Sequence, residues 1–134
     1  MSGGQTGADR AALDFAIAHA IPHGGWCPQG RRAEDGPIPG QYQLAETFIG
    51  DYLQRTEWNV RDTDGTVIFT VAAMLTGGSE RTAEFAARHA KPFIHLSQPS
   101  VMGTKLRREV AGGWISRQWR MSIRDPDVFM ASGV

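Results

Sequence analysis

Two glycine-rich turns, each followed by a helix-like stretch, are the features of this sequence most able to bind a ligand. The first consists of Gly3, Gly4, Gln5, Thr6 and Gly7, and the second consists of Thr76, Gly77, Gly78 and Ser79. Glycine allows the backbone to approach a ligand closely, and the first amides of a following helix lack internal partners and carry positive partial charge. Each turn therefore predicts an anion site, although glycine before a helix is often only a tight connection.

Charged and aromatic side chains near these turns extend the prediction. The arginines that would neutralise a phosphate are Arg10, Arg31 and Arg32. Asp9 or Asp64 could accept hydrogen bonds from ring nitrogens or ribose hydroxyls, with helix capping or solvated loop charge as the alternative. Trp26 could stack on a flat ring, although tryptophan beside a strand end is more often part of the core rim.

The spacing of the glycines favours no standard nucleotide motif. Neither turn matches the P-loop or the dinucleotide pattern G-x-G-x-x-G. Two anion-binding turns on one edge of a sheet would instead hold a molecule with a phosphate and a second polar end, such as a nucleotide or a phosphorylated pterin. We therefore expect a phosphorylated small-molecule ligand.

Strands and helices must alternate to position these turns. Apolar residues at three- and four-residue spacing predict a helix from Gly7 to Ala20, which Pro22 ends. Residues 66–71 read as a strand buried on both faces, residues 76–90 as a second helix and residues 91–96 as the next strand. A further helix is expected over residues 51–62. This alternation indicates an α/β fold in which parallel strands present their turns at one edge.

The two glycine segments resemble each other when they are shifted by 70 positions. Thr6-Gly7 then aligns with Thr76-Gly77, and His19-Ala20 aligns with His89-Ala90. This similarity indicates either a duplicated βα unit or only the resemblance that any two glycine-turn, helix and strand units share.

Length and composition exclude several classes of protein. The 134 residues predict a single domain, residues 1–134, and 14 basic side chains balance 14 acidic ones. No net field attracts nucleic acid or an anionic membrane, so neither partner is expected. The sequence lacks a membrane span and a signal core, and we expect a cytoplasmic protein. The single Cys27 cannot form an internal disulfide, and the four histidines show no metal spacing, so no metal site is predicted.

The ordered motifs resemble a known family. "SGGQTGADRAALDFAIAHAIPHGGWCPQGRRAEDGPIP", "YQLAET", "RTEWNVRDTDGTVIF" and "LTGGS" follow one another. They are similar to the putative molybdenum carrier family of the Rossmann-like superfamily that includes lysine-decarboxylase-like nucleotide-binding proteins. The resemblance covers about residues 2–96. It implies a Rossmann-like three-layer domain with a mostly parallel sheet, acting as a homo-oligomer that binds molybdenum cofactor (molybdopterin) or a nucleotide.

The family motifs fall on particular residues of this chain. The glycine turns are matched as given above, with Asp9 and Arg10 after the first. The second block is Gly25, Trp26, Cys27, Pro28, Gly30, Arg31, Arg32, Glu34 and Asp35. The middle block is Thr56, Glu57, Asn59, Asp62 and Asp64. The resemblance favours a carrier over an enzyme, with two alternatives: an N-glycosidic hydrolase that uses Glu34, Glu57 or Asp64, or a nucleotide-sensing scaffold.

Both ends of the chain depart from the family pattern. Only Met1 and Ser2 precede the first glycine turn, so the first strand is truncated, and residues 97–134 form an atypical tail with a possible helix over 104–120. A missing central strand would leave neighbouring strands with unpaired amides. We therefore expect the sheet to be completed by a dimer contact or by the C-terminal segment, or else a chain of marginal stability.

Overall fold

A computed structural model describes residues 1–98 and 128–132 of the chain. Its helices are α1 (Ala8–Ala18), α2 (Tyr52–Arg61) and α3 (Gly77–Arg88). Its strands are β1 (Trp26–Cys27), β2 (Arg32–Ala33), β3 (Gly36–Pro37), β4 (Ala45–Glu46), β5 (Gly65–Thr70), β6 (Phe93–Ser97) and β7 (Val128–Ser132). The predicted helices near residues 7–20, 51–62 and 76–90 and the strands near 66–71 and 91–96 are confirmed. The helix expected over 104–120 lies outside the described residues.

The main sheet is parallel and has the strand order β6-β5-β7. Strand β5 lies at its centre, where Ile68 is opposite His95 of β6 and Ala131 of β7. Thr66 and Ile68 are both fully buried. The β-branched run in β5 suits this position because a strand covered on both faces needs stiff apolar side chains.

Strand β7 completes the sheet from the C-terminal segment. It pairs with β5 over Gly65 to Phe69 and also packs against α1. Before α1, Ser2 forms an isolated bridge, and its amide donates to the Gly24 carbonyl over 2.9 Å. Of the possibilities left open by the truncated start, completion by the C-terminal segment is therefore confirmed.

Two small sheets hold the region between α1 and α2. Strands β1 and β4 pair in parallel, and β2 and β3 form an antiparallel hairpin in which Ala33 is opposite Gly36. The hairpin turn is Glu34-Asp35, and Gly36 has φ of 108°. Glycine suits that position because a residue with a side chain would be strained at a positive φ.

Two apolar clusters hold the layers together. One joins α2 and α3 to β5 through Val60, Phe85 and Ile68. The other joins Leu13 of α1 and Cys27 of β1 to Ile38 and Tyr42. Burial of side chains of this size contributes roughly 1.5–3 kcal/mol each before entropy is subtracted.

The ends of α1 and α3 repeat each other in conformation. Ala20 and Ala90 have φ of 52° and 51°, and Ile21 and Lys91 each donate an amide to a carbonyl five residues earlier over 2.8 Å. The sequence similarity between these two segments, which are 70 positions apart, therefore extends to the backbone conformation at the ends of both helices. Among the described helices, none has the length and apolar character to cross a membrane.

Candidate functional site

The backbone of the first glycine turn is enclosed by the protein itself. Gly4 has φ of 72°, and a Cβ there would lie 2.5 Å from Leu44 Cδ1 and 3.2 Å from Ile38 Cδ1. A Cβ at Gly3 would overlap the Arg55 guanidinium. Both glycines are buried. At these two positions the lack of a side chain allows other residues of the protein to pack directly on the backbone.

A buried ion pair lies beneath this turn. Arg55 Nη1 of α2 is 3.2 Å from Asp9 Oδ2 of α1, and the Asp9 side chain is only 1% exposed. The same carboxylate oxygen accepts the Gln5 amide over 3.4 Å. Arg55 Nε is buried and has no hydrogen-bond partner within the part of the chain that the structure describes. The predicted site residue Asp9 therefore binds a cation from within the chain, which links the turn to α2.

The second glycine turn is open. Among the described residues, 1–98 and 128–132, no atom of a non-neighbouring residue lies within 4 Å of a Cβ built at Gly77 or at Gly78, and Gly77 has φ of 54°. The Ser79 hydroxyl accepts the Thr76 amide over 3.2 Å and donates to the Thr76 carbonyl over 2.7 Å, so it fixes the start of α3. Thr82 donates its hydroxyl to the Gly78 carbonyl over 2.8 Å. The first turn of α3 thus offers free backbone surface at the carboxyl end of β5.

The β2–β3 hairpin lies against the first turn and the start of α1. Arg10 Nη1 and Nη2 donate to the two carboxylate oxygens of Asp35 over 2.9 and 3.2 Å. The Thr6 hydroxyl donates to Glu34 over 2.8 Å. Gln5 Nε2 donates to the Arg32 carbonyl over 3.0 Å. The hydrogen bonds from Arg10 hold the pKa of the Asp35 carboxyl below its usual value.

The two neighbouring arginines of the second block have different surroundings. The Arg31 guanidinium donates four hydrogen bonds of 2.9–3.2 Å, to the carbonyls of Ile38, Pro39, Tyr42 and Leu44. It therefore organises the loop after β3, and most of its donors are engaged by the backbone. The Arg32 side chain is exposed. Of the pair, Arg32 has the side chain more accessible to an anion.

Trp26 belongs to an aromatic cluster. Its ring meets that of Trp58 edge to face at 4.8 Å, and its Nε1 donates to Asp62 over 2.8 Å. Its backbone exchanges hydrogen bonds of 2.9 Å with the side chain of the fully buried Asn59. Asn59 thereby ties β1 to α2, a role that its polar character alone did not reveal.

The structure separates Asp64 from the second glycine turn. Asp64 directly precedes the amino end of β5, whereas Thr76–Ser79 follow its carboxyl end. Six strand residues span roughly 17–20 Å. These predicted site residues therefore do not form one group, while Thr6, Arg10 and the hairpin do.

Sequence reasoning missed the role of Arg55 and the hairpin contacts of Glu34 and Asp35. Arg55 pairs with Asp9 across 46 positions of the chain, and no local pattern predicts such a contact. The β2–β3 hairpin had a weak signal in Gly36, because glycine suits the positive φ that follows the two-residue turn Glu34-Asp35. The short strands lacked the alternating apolar residues that normally accompany that signal.

Groups suited to metal or thiol chemistry are scarce in the described part of the chain. Within residues 1–98 and 128–132, no group of three or more His, Cys, Asp or Glu side chains is placed to hold a metal ion. Cys27 is fully buried, and this burial raises the pKa of its thiol.

Comparisons with known proteins agree with this description. A family model described as "cpYpsA: Circularly permutated YpsA SLOG family" matches residues 1–122. A crystal structure at 1.45 Å of a protein named "Putative molybdenum carrier protein", from Syntrophus aciditrophicus SB, is 44% identical with a TM-score of 0.80. The match covers 98% of this chain and 78% of that one. No curated protein sequence matches.

The strand topology agrees with the description of the family as circularly permuted. Strand β7 comes last in the described chain, yet it lies beside β5 and against α1, the first helix. If β7 is counted first and the β2–β3 hairpin is left out of the count, β7-β5-β6 become strands 1, 4 and 5, which is the order of one half of a Rossmann sheet. Strands β1 and β4 become strands 2 and 3, and they pair with each other in a separate sheet. The predicted α/β, Rossmann-like fold is confirmed.

Proposed function

The chain belongs to the circularly permuted YpsA SLOG family, and from this premise we propose that it is a carrier for a phosphorylated pterin, such as molybdenum cofactor, or for a nucleotide. The name of its structural neighbour, a molybdenum carrier, supports a carrier role. A carrier needs complementary donors and a surface for the ligand, and it needs no paired acid and base.

The open start of α3 is the observation that carries this proposal. Gly77 and Gly78 are exposed, and no other described residue fills the space where their side chains would stand. In the proposed complex an anionic oxygen approaches the amides of this turn. The positive end of the helix dipole favours negative charge at that point. The turn follows the carboxyl end of the central strand β5, which is the usual ligand edge of a parallel sheet.

The loop between β5 and α3 suits the remaining body of such a ligand. Val71 and Met74 are 75% and 76% exposed, unusually high values for apolar side chains, and they lie beside the open turn in the chain. A flat ring joined to a phosphate would cover this apolar surface while its phosphate met the amides. Both a pterin and a nucleobase have that form.

Molybdenum cofactor fits these residues through its phosphate. Gly77, Gly78 and the hydroxyl of Thr76 would hold that group, while the metal would travel on the cofactor's own sulfurs as cargo. The buried Cys27, with its raised pKa, is not suited to ligate the metal. This division is consistent with the absence of a clustered metal-binding group among residues 1–98 and 128–132.

The arrangement of carboxylates supports a carrier ahead of the hydrolase alternative. Glu34 accepts from Thr6 at the hairpin tip, Glu57 of α2 lies 3.1 Å from His89, and Asp64 precedes β5. Asp64 is separated from the second glycine turn by the length of β5, roughly 17–20 Å, whereas hydrolysis needs an acid and a base around one bond of the ligand. The scaffold alternative, the homo-oligomer and the cytoplasmic location remain proposals.

Native mass spectrometry of protein purified gently from its own cytoplasm tests the function. We expect a pterin or a nucleotide to travel with the protein, and protein free of any ligand would contradict the proposal. Gly78→Val should abolish that retention without unfolding the chain. Gly40→Val is the matched control, because a Cβ at Gly40 also meets nothing within 4 Å and φ is not positive there. Equal retention by both variants would remove the second turn from the site.

A further inference from the structure

The tip of the β2–β3 hairpin places two carboxylates on groups that recognise anions. Asp35 receives both terminal nitrogens of Arg10, in the two-pronged geometry that guanidinium also uses with phosphate. Glu34 receives the Thr6 hydroxyl. Thr6 and Arg10 flank the N-terminus of α1, where a ligand's second anionic or polar end would meet the chain.

We propose that this hairpin tip is an internal competitor: Glu34 and Asp35 occupy Thr6 and Arg10 until an anionic group of the ligand displaces them. The inference rests on the proposed function, because it assumes that the ligand carries an anionic group. It adds a second, masked anion subsite to the open one at α3. It also implies a movement of the hairpin that accompanies binding.

The exposure of the partners allows such displacement. The Asp35 side chain is 49% exposed and Arg10 only 15%, so the acid faces solvent while the cation is held in place. Arg10 also donates through Nε and Nη2 to the Gly4 carbonyl over 3.3 and 3.1 Å. The guanidinium therefore stays positioned when the carboxylate leaves. Exposed ion pairs contribute little, so a phosphate with two negative charges can replace a single carboxylate.

The base of the hairpin is anchored separately from its tip. The Ile38 amide donates to the Arg31 carbonyl over 2.7 Å, and the Arg31 side chain binds the loop that follows. Gln5 holds the Arg32 carbonyl. These contacts fix the first and last residues of the hairpin. The tip is held against Thr6 and Arg10 by the carboxylates of Glu34 and Asp35. Release of the two carboxylates would move the tip without unfolding the base.

Charge-matched truncations test the competition. Asp35→Ala removes one exposed carboxylate paired with an arginine, and Glu84→Ala removes a similar one, 2.7 Å from Arg81 on α3. A Glu34→Ala/Asp35→Ala double variant removes both competitors. Inorganic phosphate and adenosine monophosphate are the probes, and their dissociation constants are measured by isothermal titration calorimetry for the full chain.

We expect Asp35→Ala to bind the probes about two- to tenfold more tightly than the wild type, the double variant to bind at least as tightly, and Glu84→Ala to be unchanged. Binding by the variant alone, with the wild type below detection, would support the same conclusion. Equal or weaker binding by Asp35→Ala overturns the competition and leaves the carrier function standing. An equal gain in Glu84→Ala also overturns it, because general charge would then explain the effect. No binding by any protein overturns the proposed function, and this inference fails with it.

Discussion

The two glycine turns look alike in sequence, but alanine substitutions within them should have opposite effects on stability. At Gly4 a side chain must adopt φ near 72°, which costs about 1–2 kcal/mol for an L-residue. Its Cβ would also stand 2.5 Å from Leu44 Cδ1, and overpacking of this kind costs about 1–3 kcal/mol. Gly4→Ala should therefore lose roughly 2–5 kcal/mol, a large part of the 5–15 kcal/mol typical of a domain.

Thermal unfolding followed by circular dichroism measures this loss. For a chain of this length 1 kcal/mol corresponds to about 3–4 °C, so Gly4→Ala should melt roughly 6–20 °C below the wild type. Gly78→Ala meets no neighbour within 4 Å and improves helix propensity by up to about 1 kcal/mol, so its Tm should be unchanged or slightly raised. A Gly4→Ala protein that melts within 2 °C of the wild type would refute the enclosed first turn.

Three further outcomes follow from buried or paired groups. Asp9→Asn should cost about 3–5 kcal/mol in urea unfolding because it leaves the Arg55 charge buried without its partner, and a loss below 1 kcal/mol would contradict this. The buried Cys27 thiol, whose pKa is raised by desolvation, should react with a disulfide reagent only when urea unfolds the chain, and rapid labelling of native protein would disagree. The hydrogen bond from Arg61 lowers the pKa of Asp62 below 3.8, so its stabilisation is present above that pH and is lost as pH falls through the lowered value. Asp62→Asn should therefore be less stable than wild type by up to about 1 kcal/mol at pH 7, and this difference should shrink as the pH falls below 3.8. A difference that stays constant as the pH falls would be inconsistent.

Periodicity and composition were sufficient to predict the long elements. Helices α1 and α3 have apolar residues at helical spacing, and β5 is a continuous β-branched and aromatic run, so local sequence alone predicts them. Strands β1 to β4 have two residues each and no pattern of their own. They form because distant segments supply their partners, as Trp26 does for Ala45.

The candidate site was predictable only in part for the same reason. Glycine at positions 3, 4, 77 and 78 signals bare backbone, but whether that backbone meets a ligand or the protein depends on residues far away in sequence. Gly4 is enclosed because Leu44 packs on it, and Gly78 is open because nothing does. Likewise the sequence predicts Arg31 as a phosphate ligand, but it does not show that carbonyls of the loop after β3 accept most of its hydrogen bonds.

The position of β7 has a consequence for the order in which the fold can form during synthesis. Gly65 pairs with Val128, so one edge of β5 has no partner until the residues of β7 have been translated. At about 5–20 residues per second, the ribosome leaves that edge unpaired for a few seconds after β6 has emerged. An unpaired parallel strand edge is a template for aggregation. The nascent chain of this protein should therefore depend on chaperone protection until its last described strand leaves the exit tunnel. Helix α1 can pack earlier through Leu13 against Cys27, but it should gain its contact with β7 only then.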